Sequence, residues 1–170
     1  MANVYLSIGS NIERQKNVES GLNALASLFG TLTLSSLFES DAVGFSGSPF
    51  YNMVVGFTTT KPLNKLTEVL RQIEYAHGRE VDAKKYSPRT LDLDILLYDD
   101  LVCEQPAQLP RDEICFNAFV LWPLAEIAPD IKHPVEHKTI AEMWQAFDKS
   151  TQKLEKVALN WQQSQKDMTT

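Results

Sequence analysis

No stretch of the 170-residue sequence reaches the ~20 apolar residues that a membrane-spanning helix needs. Met1 leads straight into a strand-like segment, without a basic run ahead of a long apolar one. A soluble, cytoplasmic protein with no membrane partner is the expectation. Only two residues are cysteine, Cys103 and Cys115, and their spacing fits no CxxC metal or redox pair. Both read as buried free thiols in apolar company. Dense Lys/Arg clusters are absent and the formal net charge is −6. That balance argues against nucleic acid as a partner, because phosphate contacts supply most of such affinity. Neither a GxxxxGK[ST] loop nor a GxGxxG after a strand occurs. Histidine is scarce: His77, His133 and His137. Pro134 prevents a regular helix between the last two, so all three read as surface or structural groups rather than a metal pair.

What is present is ordinary for one globular domain. The apolar fraction is 44% and the charged fraction 22%, and a chain of this length can enclose a real core. A single domain over residues 1–160 with a polar tail over 161–170 is expected, with no linker and no repeats.

Alternation predicts strands over 4–8, 31–38, 50–59 and 91–98, with 101–104 pairing beside the last across Asp99-Asp100. Apolar residues at spacings of three and four predict helices over 15–29, closed by Gly30, and from Pro62 to near Gly78. Later helices are expected over 119–127 and 139–147, then a short strand over 154–159. Segments 39–49 and 79–87 read as loops; the first is long for a plain connection, as functional loops often are. The order is βαββαβ with a C-terminal extension. That is the order of α+β ferredoxin-like folds, an antiparallel sheet with helices packed on it.

Asp92 and Asp94 stand two apart in the fourth predicted strand, so both carboxylates aim at one face. Leu91, Leu93 and Ile95 then bury on the other. Converging carboxylates repel, and a hard divalent cation relieves that; Mg²⁺ favours one or two carboxylates plus phosphate oxygens. A polar face at a sheet edge is the plainer alternative. Arg89, three residues before Asp92, could neutralise a polyphosphate held by such a metal. Arg79, Lys84, Lys85 and Arg111 are further candidates, against a solvated charged surface. Gly9-Ser10-Asn11 lies between a strand and a helix, where backbone amides can meet an anion or simply make a turn.

The stretch YSPRTLDLDILL over 86–97 resembles the signature of the 6-hydroxymethyl-7,8-dihydropterin pyrophosphokinase family. FVLWPLAEIAP over 119–129 is similar to that family's second block, Gly9-Ser10-Asn11 to its N-terminal turn, and Phe50-Tyr51-Asn52 to its pterin-side strand. The similarity covers roughly residues 3–147. It implies a cytoplasmic monomer that moves pyrophosphate from MgATP to the pterin hydroxymethyl group and releases AMP, with ATP as co-substrate and two Mg²⁺ bridged by Asp92 and Asp94. Phe50 and Phe119 would sandwich the pterin ring. Asn52 and Ser40 would bond its polar edge, helped by backbone near Val43. Glu74 would meet the ribose, Tyr86 and Arg111 the ATP, and Arg79 and Arg89 its phosphates. The loops over 40–49 and 79–87 would close over the substrates. Several positions depart from the family pattern: Tyr86 stands where Trp is frequent, Asp82 where a basic residue is common, Asp41-Ala42 replace a Pro-containing run, and two more departures touch the triphosphate. Arg111 stands where His is usual, which keeps a cation. Asn117 stands where Arg is usual, and one missing charged phosphate contact costs about 2–4 kcal/mol of transition-state stabilisation. A diverged paralogue that binds pterin or nucleotide but transfers little is therefore a second reading. A ferredoxin-like nucleic-acid module is a third, opposed by the acidic charge.

Overall fold

The alternation of β1 (Ala2–Ser10) divides the molecule into two layers. Val4, Leu6 and Ile8 are fully buried on one face of the sheet, whereas Tyr5 packs on the other. The computed structural model describes residues 1–40, 49–78, 90–150 and 152–162. Its further elements are α1 (Arg14–Phe29), β2 (Thr33–Leu34), β3 (Leu37–Ser40), β4 (Phe50–Thr59), α2 (Leu63–Ala76), β5 (Asp92–Tyr98), α3 (Ala118–Ile127), α4 (Ile140–Ala146) and β6 (Glu155–Val157). A 3-10 turn over Asp112–Cys115 precedes α3.

The strands run β5-β1-β4-β3-β6, with β2 also on β4, and every pairing is antiparallel. The first four of that path are the ferredoxin-like arrangement, so the expected α+β architecture holds. On one face, Val18, Leu22 and Leu25 of α1 and Leu66, Leu70 and Ile73 of α2 pack against Leu6, Met53, Val55, Leu93 and Ile95. On the other, Val120, Leu121 and Leu124 of α3 and Ile140 of α4 cover Val54, Leu96 and Leu97. Gly30 ends α1 with φ 80°, a left-handed setting that favours glycine.

Two expected elements differ. The strand expected over 31–38 is broken at Ser35 and Ser36. Leu34 sits opposite Val55 and Phe38 opposite Asn52, so four residue steps face three and one extra residue bulges out. Serine side chains and a carboxylate stabilise the break. Ser35 Oγ accepts from Val54 N at 2.8 Å, and the Glu126 carboxylate takes Ser36 N and Oγ at 2.7 and 2.9 Å. Residues 101–104 do not pair with β5. Cys103 instead exchanges both backbone hydrogen bonds with Leu109, each at 2.9 Å, because this nearby partner satisfies the segment locally.

Several contacts tie down the C-terminal extension. Val157 of β6 pairs with Leu37, Lys156 lies 3.1 Å from Glu126 and 5.4 Å from the Trp122 ring, and Trp161 Nε1 donates to Asn23 Oδ1 at 2.7 Å. Trp161 thus packs on the core, although the polar tail was expected to start there; residues 163–170 lie outside the described residues.

Candidate active site

The helical cover on the second face is incomplete. Beyond Val54 and Leu96, where α3 packs, the register brings Ser7 beside Asp94 and Gly9 between Asn52 and Asp92. Asp92 and Asp94 emerge there, half-buried, while Leu93 and Ile95 bury in the core as alternation requires. The pattern then changes phase. Leu6 opposes Ile95 but Tyr5 opposes Leu97, so Leu96 is an extra residue and Leu96 and Leu97 both meet α3. Alternation already puts Leu96 on the side of Asp92 and Asp94; the bulge turns Leu97 to that side as well.

Gly9 keeps this floor flat. A Cβ there would come within 3.2 Å of Asn52 Oδ1 and 3.9 Å of the Phe50 ring. Asn52 is buried and donates to Ser40 Oγ at 2.9 Å, so the two expected pterin-edge residues are in contact. Phe50 at the start of β4 and Phe119 in the first turn of α3 are both half-buried. Arg14 braces the strand ends nearby: it meets Glu39 at 2.7 Å and the Pro49 carbonyl at 3.1 Å, and stacks over Tyr51.

The electrostatics favour a cation. Burial, then the neighbouring Asp92 charge, pushes the Asp94 carboxyl up to about 7; Arg111 opposes the rise, and Glu113 and Glu74 add to it. A divalent ion bound to both aspartates would remove that penalty. Among the described residues no three His, Cys, Asp or Glu side chains converge as a ready cage. Two carboxylates that need phosphate oxygens to complete the shell fit Mg²⁺ better than a metal held by protein alone.

Arg111 reaches the site from the far side of β5, where its N–H donates to the Leu96 carbonyl at 3.0 Å. Its Nη2 lies 3.6 Å from Asp94 Oδ2. Nε and Nη2 both lie 2.7 Å from Glu113 Oε1, and Glu113 Oε2 accepts from Asn117 Nδ2 at 2.7 Å. Glu113 was not singled out in the sequence; the only signal was an acid two residues after a candidate cation.

Glu74 lies at the inner end of α2, against β5. The resemblance sets it against a ribose, but it is 2% exposed, and its Oε2 accepts from Leu93 N at 2.8 Å, with Oε1 3.6 Å from Arg71. Its carboxylate braces the back of β5, because α2 carries it inward beside Ile73. Val43, Arg79, Tyr86 and Arg89 lie outside the described residues. The structure therefore brings together Asp92, Asp94 and Arg111, and separately Asn52 and Ser40.

The family model for 7,8-dihydro-6-hydroxymethylpterin-pyrophosphokinase matches residues 5–129. The chain is 37% identical to a 2-amino-4-hydroxy-6-hydroxymethyldihydropteridine pyrophosphokinase of Pseudomonas aeruginosa, over 77% of this chain and 83% of that one. It is 31% identical to the protein of that name from Aquifex aeolicus, over 84% and 90% of the two chains. Among solved structures it resembles Plasmodium falciparum HPPK-DHPS crystallised with pteroate. The TM-score is 0.69 at 14% identity, covering 85% of this chain and 42% of that one, a likeness of fold alone.

Proposed function

The chain belongs to the 7,8-dihydro-6-hydroxymethylpterin-pyrophosphokinase family and is an ATP-dependent pyrophosphokinase of the folate pathway; from that premise we propose how its own residues carry the transfer. The β,γ-pyrophosphoryl unit of ATP passes to the hydroxymethyl oxygen of 6-hydroxymethyl-7,8-dihydropterin, and AMP leaves. The observation that carries this reading is the pair Asp92 and Asp94, half-buried on one face of β5, with the Asp94 acid held up at about 7.

Asp92 and Asp94 would hold two Mg²⁺, which would draw charge from the triphosphate and help the bond between its α and β phosphates to break. Arg111 offers the triphosphate donors beside the aspartates. Asn52, fixed by Ser40, reads the polar edge of the pterin, and Phe50 and Phe119 stack on its faces. Gly9 lets the ring lie close to the sheet. The resemblance adds the backbone near Val43 on the pterin side and Arg79, Tyr86 and Arg89 on the ATP side. Glu74 acts from behind, holding β5 through Leu93 N, rather than touching ribose. The protein works as a monomer in the cytoplasm. The reading of a diverged binder is not favoured, since the relatives at 31% and 37% identity are named as pyrophosphokinases.

The test mixes purified protein, MgATP and hydroxymethyldihydropterin. AMP is expected to appear in step with diphosphorylated pterin. ADP in its place, or no AMP above background at any magnesium concentration, would overturn the proposal.

A further inference from the structure

Arg111 lies between two carboxylates at unequal distances. Nε donates a charge-assisted hydrogen bond to Glu113 Oε1 at 2.7 Å and Nη2 lies equally close in an ion pair, whereas 3.6 Å to Asp94 Oδ2 is an ion pair without a hydrogen bond. Glu113 is itself fixed. It sits in the 3-10 turn, its carbonyl accepts from Asn117 N at 2.9 Å, its Oε2 takes Asn117 Nδ2, and Ile114 beside it is fully buried. Asn117 could cap α3 through its side chain, yet no such bond forms; its amide goes to Glu113. Gln152 takes over at the helix start, accepting from Ala118 N at 2.7 Å.

We infer that Glu113 is a positioning residue that holds Arg111 back from Asp94, so that a divalent cation meets the Asp94 oxygens without a hydrogen-bonded guanidinium in the way while Arg111 keeps donors for the phosphates. The inference rests on the magnesium reading above. Glu113 takes the Nε hydrogen and lies against Nη2, and Nη1 has no partner among the described residues. The guanidinium thus keeps donors for an anion. Without Glu113 its nearest carboxylate is Asp94, and a bidentate pair formed there would take the oxygens the ion needs.

The inference is tested with a double-mutant cycle read by calorimetry of Mn²⁺ binding, on the full chain saturated with α,β-methylene-ATP, whose α–β bridge cannot be cleaved. Glu113→Ala is expected to weaken Mn²⁺ binding roughly tenfold, the scale of one charge-assisted hydrogen bond. The isosteric Glu113→Gln should do the same, which guards against a folding artefact. In an Arg111→Ala background, Glu113→Ala should change Mn²⁺ affinity less than about twofold, because nothing is left to restrain. Equal weakening in both backgrounds would make Glu113 a plain local charge and overturn the inference, as would no weakening in the wild-type background or no Mn²⁺ uptake at all. A wild-type protein that forms no AMP but shows the coupled Mn²⁺ effect would count against the proposed reaction and leave the Glu113 assignment standing.

Discussion

At Asp94 two physical effects act in the same direction: burial disfavours its charge, and Asp92 adds repulsion. The consequence for stability has a definite sign. The folded-state value of about 7 lies above the ordinary 3.8, so the protonated acid stabilises the fold at low pH, and that contribution is lost as pH rises through 7. Without divalent cations, Asp94→Asn should therefore melt above wild type at pH 8, by roughly 1–3 kcal/mol once partial solvent screening is allowed for. At pH 5 the gap should shrink. Saturating MgATP should reverse the order at pH 8, because only the wild type gains from binding the ion. Thermal melts in EDTA and in MgATP check this, and a variant no more stable than wild type in EDTA at pH 8 would contradict it. His133 shows the opposite case. Burial pushes its imidazole below 6.5 while Nδ1 accepts from Val135 N and Glu136 N. It is a structural group, as its spacing beside Pro134 implies.

Elements decide which residues meet. The floor of the candidate site exists because β1 lies between β4 and β5, so Gly9 touches both strands at once. Gly9→Ala would press a methyl to 3.2 Å from Asn52 Oδ1 and disturb its bond to Ser40. The Km for pterin should rise several-fold while the Km for ATP stays near wild type; steady-state kinetics with each substrate varied would expose equal changes in both, which would count against the assignment. Much of this was legible in the sequence. The bounds expected for β4 are those found, and α1 and β5 each differ by one residue, since long amphipathic patterns report burial directly. The face shared by Asp92 and Asp94 follows from alternation alone. The bulge at Leu96 does not, because it depends on pairing with β1. The break at Ser35 and Ser36 was hidden for a like reason: it relies on Glu126, ninety residues away from Ser36. The bond from Leu93 N to Glu74 was not legible because no local pattern shows that Leu93 N lies within reach of α2. Glu113 was missed because its carboxylate matters only once Arg111 is brought to β5.

Across the whole molecule, the chain carries a net charge of −6 yet handles a substrate with several negative charges of its own. The structure accounts for this locally. In the proposed site two aspartates would take divalent cations, and Arg111 returns beside them through its backbone bond to Leu96. The C-terminal extension, anchored on β3 and α1, adds a sixth strand away from this site. No described helix is long and apolar enough to cross a membrane. Everything functional then depends on whether the β5 carboxylates hold the ions. The most direct measurement is the rate of AMP formation by Asp92→Asn and Asp94→Asn at saturating MgATP and pterin, with melting curves to show that each variant is folded. Each rate is predicted to fall by roughly a hundredfold or more. A folded variant that keeps its rate within about tenfold of wild type would contradict the account.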